Sequence, residues 1–176
     1  MLNFSKASIL NNPQNASCEE IFNAFCYELG QYYKPLGGRF AKSGPHITFK
    51  RKNVKLKLCF WSSSSNQKGE YVSLEIIPNF YSAFVSDKAG YFFGYPVIYK
   101  TLEDKAKNNF NIFGATGALF SEIVNLINSY VLSALDAFES QEETKKYLST
   151  LDPVYLNSFV EKSVSFNQFL KAQEKC

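Results

Sequence analysis

The chain has 176 residues, of which 45% are hydrophobic and 16% aromatic, and its formal net charge is +3. This composition argues against disorder and predicts one globular domain over residues 1–176, with an irregular arm over residues 1–16. The mild charge does not by itself indicate nucleic acid or an anionic membrane. No stretch approaches about 18 uninterrupted apolar residues, so no membrane-spanning helix is expected.

The N-terminus lacks the basic start and long apolar run of a secretory signal. The cysteines, at positions 18, 26, 59 and 176, match neither a CxxC motif nor a zinc-finger spacing. Reduced thiols in a cytoplasmic protein are therefore expected, because disulfides are rare in that compartment. His46 is the single histidine, and one histidine cannot assemble a histidine-rich metal site. We expect no metal and no cofactor.

The first clear element in chain order is a helix that begins after Ser17. Ser17 and Glu20 have the spacing of a capping box. An apolar stripe at helical spacing follows, made of Ile21, Phe25, Leu29 and Tyr32. The helix is expected to end near Lys34, because Pro35 disfavours helical angles in the residue before it. A glycine turn and a short edge strand over residues 39–42 come next.

Residues 46–78 predict three consecutive antiparallel strands, because apolar and polar residues alternate along them. Lys52-Asn53 is expected to form a tight turn, since Asn tolerates left-handed backbone angles. Residues 62–65 are expected to form a loop, and the third strand is expected to end at Ile77, before Pro78. Helices on either side of this meander in the chain are expected to cover its apolar face.

Residues 79–113 are dense in aromatics and glycine and allow several predictions. A strand over residues 80–85 competes with a short helix over residues 80–87. A further strand over residues 96–100 and one or two helical turns over residues 102–109 complete this segment. It is too apolar for a free linker, so we expect it to pack on the domain.

The longest helix is predicted over residues 118–139, after a turn bracketed by Gly114 and Gly117. Its stripe is formed by Leu119, Ile123, Leu126, Ile127, Tyr130, Ala134, Leu135 and Phe138. A polar helix over residues 141–151 follows. Asp152-Pro153 signals a further helix start, and a last short helix is expected over residues 165–175. The fold class is therefore α+β: an antiparallel sheet of three to five strands with helices packed mainly on one face.

No catalytic constellation emerges from the sequence. The turn at residues 114–117 lacks the Lys-Ser/Thr of a phosphate-binding loop, so a plain turn and helix cap is favoured. Glu75 lies on the polar face of its strand and is expected to meet Lys55 or Lys57 across the sheet. No second carboxylate is placed to share general acid–base work with Glu75.

The one dense charged feature is a basic cluster on the meander, made of Lys50, Arg51, Lys52, Lys55 and Lys57. A solvated face with lysines that protect against aggregation is the plainest interpretation, followed by contact with an acidic protein, and then by nucleic acid. If the face binds a partner, the candidate contact residues are Lys50, Lys52, Lys55, Lys57, Trp61 and Glu75. The acidic stretch over residues 139–143 is a rival surface.

The stretch FNAFCYELGQYYKPLGGRFAKSGPHITFKRKN places a helix before a glycine turn and a phenylalanine-bearing strand. KLKLCFWSS and the restart LDPVYLNSF continue the pattern. Over residues 18–170 the chain resembles a widespread bacterial domain family that has no assigned catalytic residues. Small proteins of this kind are similar to immunity proteins of bacterial toxin systems, which are cytosolic domains that bind and block one toxin.

The resemblance implies a non-enzymatic protein-binding module, most concretely a cytoplasmic immunity protein that blocks a cognate bacterial toxin domain. Two alternatives stay open. One is a hydrolase or transferase with a site among Tyr71, Glu75, His46 and the basic strand residues. The other is a nucleic-acid-binding module that uses the basic strands, which the small net charge disfavours.

Overall fold

The protein is described from a computed structural model, which covers residues 4–5, 8–83, 92–93 (backbone only) and 108–150. These residues form one antiparallel sheet and three helices, so the α+β prediction is confirmed. The helices are α1 (Cys18–Tyr33), α2 (Gly117–Ala137) and α3 (Gln141–Leu148). The predicted helices beyond residue 150 lie outside the described residues.

The strands are β1 (Arg39–Ala41), β2 (His46–Lys50), β3 (Val54–Trp61), β4 (Ser73–Ser82), β5 (Phe92–Phe93) and β6 (Asn109–Asn111). Strands β1 to β4 lie side by side in chain order. The short strands β5 and β6 both pair with the far edge of β4, at opposite ends of it. The sheet is therefore five strands wide, within the predicted range, and the predicted meander is β2–β3–β4.

One face of the sheet is buried under α1 and α2. It carries Ile47, Phe49, Val54, Leu56, Leu58, Phe60, Leu74, Ile76 and Phe80, all buried. Tyr33 of α1 packs edge-on against Phe49 with ring centroids 5.6 Å apart, and Phe138, just after α2, packs against Phe80 at 5.0 Å. The N-terminal arm adds Phe4, which packs against Phe25 of α1. Both flanking helices thus cover the apolar face, as the alternation predicts.

Helix α1 begins at the predicted capping box. Ser17 Oγ accepts a hydrogen bond from the Glu20 amide at 3.2 Å, and Glu20 Oε2 accepts one from the Ser17 amide at 2.7 Å. Two backbone donors that have no partner within the helix are satisfied in this way. The helix gives way at Lys34 to a 3₁₀ turn (Lys34–Leu36), and Gly37 then reverses the chain with a φ of 88°.

Strand β4 continues through Pro78 to Ser82, so the predicted end at Ile77 is wrong. The Ile76 amide donates to the Asn108 carbonyl, on the outer edge of β4. Backbone groups alternate sides along a strand, so the Pro78 nitrogen also faces this edge, away from β3. It lies between the stretch paired with β6, which ends at Glu75, and the stretch paired with β5, which begins at Asn79. Proline therefore removes no hydrogen bond from the β3–β4 ladder.

This extension of β4 also corrects the predicted helix over residues 80–87, because residues 80–82 are strand. The predicted helical turns over residues 102–109 are wrong at their end, where Asn109 begins β6 and Asn108 is bonded to β4. The remainder of both predictions, and the strand over residues 96–100, lies outside the described residues.

Helix α2 contains a π-helical stretch (Ile127–Leu132). The Tyr33 hydroxyl of α1 lies 3.1 Å from Asn128 Oδ1 in this stretch and 3.3 Å from the Val124 carbonyl oxygen. Burial raises the pKa of Tyr33, so the hydroxyl stays protonated and donates. The buried stripe includes Phe120 and Val131, whereas Leu119 and Tyr130 of the predicted stripe are only partly buried. The π-helical stretch of α2 is thus hydrogen bonded to α1 through Asn128 and Tyr33.

By length and composition alone, α2 is long and apolar enough to cross a membrane. A buried core helix meets the same criterion, and the residues of α2 that face the sheet are fully buried, among them Ile123, Ile127, Ala134 and Leu135. Helix α3 then packs Tyr147 against Phe138 with ring centroids 5.4 Å apart.

Candidate partner-binding face

The second face of the sheet, here called the open face, carries the predicted contact residues. Lys55, Lys57, Cys59 and Trp61 alternate with the buried residues of β3 and stay partly or fully exposed. Glu75, Ile77, Asn79 and Tyr81 continue this face on β4. Both long helices lie on the opposite face, so none of the described helices covers the open face.

The end of the open face next to the β2–β3 turn is basic. Lys50 lies directly opposite Lys55, and Lys55 lies opposite Tyr81. The neighbouring Arg51–Val54 pair is hydrogen bonded at 2.8 Å, so Lys50 and Lys55 form the alternate, non-hydrogen-bonded kind of pair. Their Cα atoms are then only about 4.5 Å apart. The chain therefore places two positively charged side chains next to each other on the open face.

A groove of about 410 Å³ opens at this turn. Its walls include the basic side chains Lys50, Arg51, Lys52 and Lys55 and the ring of Tyr81. None of the described residues that line it is acidic. Three of the six predicted contact residues thus meet in one concave site, and the arrangement suits an anionic group.

The β2–β3 turn is fixed to the end of α2. The Asn53 amide donates to both carboxylate oxygens of Glu139 at 3.2 Å, and Asn53 Nδ2 donates to the Glu139 carbonyl at 3.0 Å. Arg51 pairs with Asp136 at 3.4 Å, with both side chains exposed. No described residue other than glycine has a positive φ, so the turn does not use the left-handed backbone angles expected for Asn53. Asn53 instead anchors the turn, and Glu139 is committed to this anchor.

Glu75 and Trp61 form the other end of the open face. They lie opposite each other, and Asn108 Nδ2 lies 3.3 Å from Glu75 Oε1. Lys57 lies opposite Asn79, four positions and about 13 Å along β4 from Glu75. The predicted pairing of Glu75 with Lys55 or Lys57 is therefore wrong. The sequence did not indicate this register, because the strand was expected to end before Pro78, whereas Lys57 and Lys55 pair with residues of β4 beyond that proline.

The strand register does not bring together Tyr71, Glu75 and His46, the residues of the enzyme hypothesis. Glu75 lies opposite Trp61, whereas His46 lies opposite Cys59, two residue pairs nearer the basic end and a strand further across. Tyr71 lies outside the strands and bridges to Gln67. His46 Nδ1 lies 2.7 Å from the Gly44 carbonyl oxygen, so this nitrogen carries the proton when the ring is neutral.

Metal and anion sites elsewhere find no support in the described part of the chain. No group of three potential metal ligands occurs there. The Gly114–Gly117 turn is a helix cap, since Thr116 Oγ1 accepts a hydrogen bond from the Leu119 amide at 3.4 Å. Cys59 Sγ accepts from Asn79 Nδ2 at 3.4 Å. Burial among apolar side chains raises the pKa of the Cys26 thiol, which suits a structural rather than a reactive cysteine.

Two further residues of the open face are not among the predicted contact residues. Arg39 on β1 lies opposite Thr48, and Thr48 lies opposite Lys57, so Arg39 extends the basic end to the sheet edge. Tyr81 is 44% exposed and faces the groove. The alternation of residues along β4 would have placed Tyr81 on the open face if the predicted strand had continued past Pro78.

Comparisons of the chain with protein-family models, with curated proteins and with solved structures find no match.

Proposed function

We propose that the protein is a non-enzymatic binding module whose open face docks on an acidic surface of a partner protein. The observation that carries the proposal is the pairing of a basic end with exposed aromatic side chains on one sheet face. Trp61 and Tyr81 are 51% and 44% exposed, and large exposed aromatic residues next to charges are typical anchors of protein interfaces. Charge complementarity then supplies orientation and a fast association rate.

The most specific form of this proposal is a cytoplasmic immunity protein that binds and blocks a cognate bacterial toxin domain. It is supported by the resemblance of residues 18–170 to that kind of small domain and by the separation of His46, Tyr71 and Glu75 in the sheet register. A basic binding face favours a toxin with an acidic contact patch. The acidic residues 139–143 fit a contact role less well, because Glu139 holds the β2–β3 turn.

Co-expression with the product of the neighbouring upstream gene tests the partner. We expect the two proteins to copurify and the toxicity of that product to be neutralised. Lys55→Gln combined with Lys57→Gln should weaken binding about tenfold or more, and Trp61→Ala should do the same from the other end of the face. Lys146→Gln is the matched control, because it removes an exposed charge from α3. Neither binding nor neutralisation by the wild-type protein would reject the immunity function.

Single-stranded nucleic acid is the second candidate, because lysines interleaved with exposed aromatics suit phosphates and stacked bases. In that case binding of an oligothymidine should weaken steeply with salt, since counterions are released from the phosphates. Absence of oligothymidine binding at low salt would eliminate this candidate.

A further inference from the structure

We propose that the groove at the β2–β3 turn receives an acidic segment of the partner protein, and that Asp136 competes with this segment for Arg51. This inference rests on the proposed protein-binding function and names the part of the partner that the face would recognise. The groove is lined by Lys50, Arg51, Lys52 and Lys55, and its volume of about 410 Å³ is in the range of ligand-binding pockets.

Charge supplies the first step. Lys50 and Lys55 are opposite each other in a non-hydrogen-bonded pair, where side chains approach most closely. A carboxylate that arrives between two such lysines can accept charge-assisted hydrogen bonds from both. The pair therefore suits an anionic occupant such as a carboxylate side chain.

Rigidity supplies the second step. The turn that carries Arg51 and Lys52 is anchored by the bonds from Asn53 to Glu139. The backbone of the groove is thus in place before a partner arrives, which lowers the entropy lost on binding. A segment of the partner with successive carboxylates could reach both the lysine pair and the turn.

Arg51 supplies the third step. Its pair with Asp136 is long, at 3.4 Å, and the two side chains are 43% and 68% exposed. Exposed pairs of this kind contribute little to stability, so Arg51 can leave Asp136 for a partner carboxylate. Asp136 is therefore placed as an intramolecular competitor, and its removal should strengthen binding. Loss of folded protein cannot mimic such a gain.

The test uses the full chain and a hexaglutamate peptide at low salt, with amide chemical shifts recorded by NMR. We expect the shifts to concentrate in residues 50–55 and at Tyr81. Lys50→Gln combined with Lys55→Gln should weaken peptide binding about fivefold or more. Lys146→Gln should change it less than about twofold, because that charge lies on α3.

The competitor is tested by Asp136→Asn, which should tighten peptide binding about two- to threefold. Glu142→Gln changes the net charge equally, but its exposed side chain lies at the start of α3, so it should have a smaller effect. Equal effects of the two variants would overturn the role of Asp136. Shifts spread over the surface, or tighter binding of a hexathymidine than of hexaglutamate, would overturn the groove as a site for acidic protein segments.

The two proposals fail in different ways. If hexaglutamate binds in the groove but the neighbouring gene product does not bind, the toxin partner is rejected and the groove stands. If that product binds and the Lys50/Lys55 double variant retains full affinity for it, the groove is rejected and the binding function stands. If the double variant does not fold, the wild-type shift map and Asp136→Asn decide the matter.

Discussion

At the scale of single residues, the capping box of α1 couples the start of the helix to pH. Hydrogen bonds from the backbone and the side chain of Ser17 hold the pKa of Glu20 below its ordinary value of 4.5. The folded state therefore favours the carboxylate form. The contribution of the ionised Glu20 carboxylate to the stability of the fold is fully present above the unfolded-state pKa. It is lost as the pH falls through the lower folded-state pKa.

Glu20→Gln separates this titration from the hydrogen bond itself. Gln can still accept from the Ser17 amide, since capping boxes use either residue, but it does not titrate. We expect the stability difference between wild type and variant to be constant above a pH of about 4.5 and to shrink in more acidic solution. Urea unfolding across this range measures it. The same profile for Glu19→Gln, which removes a neighbouring carboxylate outside the box, would contradict the assignment.

At the scale of elements, the packing of α1 against β1 depends on a glycine. A Cβ atom at Gly30 would lie 2.6 Å from Phe40 Cγ, closer than any normal contact. Gly→Ala in a helix ordinarily stabilises by up to about 1 kcal/mol. Here the clash reverses the sign, because the aromatic ring of Phe40 fills the space beside the helix backbone.

We therefore expect Gly30→Ala to destabilise the protein by about 1–3 kcal/mol, the usual cost of overpacking. In a Phe40→Ala background the same substitution should be neutral or stabilising, and a double-mutant cycle of unfolding free energies measures the coupling. Gln31→Ala, at an exposed position of the same helix, is the control for helix propensity. A stabilising Gly30→Ala in the wild-type background would show that α1 and β1 are not so closely packed.

Period and capping were sufficient to predict most of the described elements. The alternation along residues 46–61 fixed which face of β2 and β3 is buried, and Ser17 with Glu20 located the start of α1. Local rules were insufficient at Pro78, because a proline is compatible with a strand when its nitrogen faces an edge without a ladder partner. That condition is set by β5 and β6, which are distant in the chain. The π-helical stretch of α2 likewise has a contact that is distant in the chain, the hydrogen bond that Asn128 Oδ1 accepts from the Tyr33 hydroxyl.

At the scale of the whole molecule, the predicted contact residues divide between two ends of one face. Lys50, Lys52 and Lys55 meet in the groove, whereas Trp61 and Glu75 lie about 20 Å away along the sheet. Sequence alternation shows that Lys55 and Trp61 share a face, but not which residues lie opposite them. Register decides that, and it follows from how the strands end and turn. A partner that contacts both ends would span most of the sheet.

The anchor between Asn53 and Glu139 connects the sheet to α2 and sets the shape of the groove. Glu139→Ala leaves the Asn53 amide without its carboxylate acceptor in a partly buried position, so we expect a loss of about 1–3 kcal/mol. Glu139→Gln keeps one acceptor oxygen and should cost less. Hydrogen exchange at the Asn53 amide should accelerate in the same order, because exchange reports local opening of the turn.

Glu142→Ala is the control, since Glu142 is exposed in the first turn of α3. Because the lysines of the groove are carried by the β2–β3 turn, hexaglutamate binding should be weaker in Glu139→Ala than in Glu139→Gln, which removes the same charge but keeps an acceptor for the Asn53 amide. Wild-type stability and exchange in Glu139→Ala would mean that the turn holds its shape without α2.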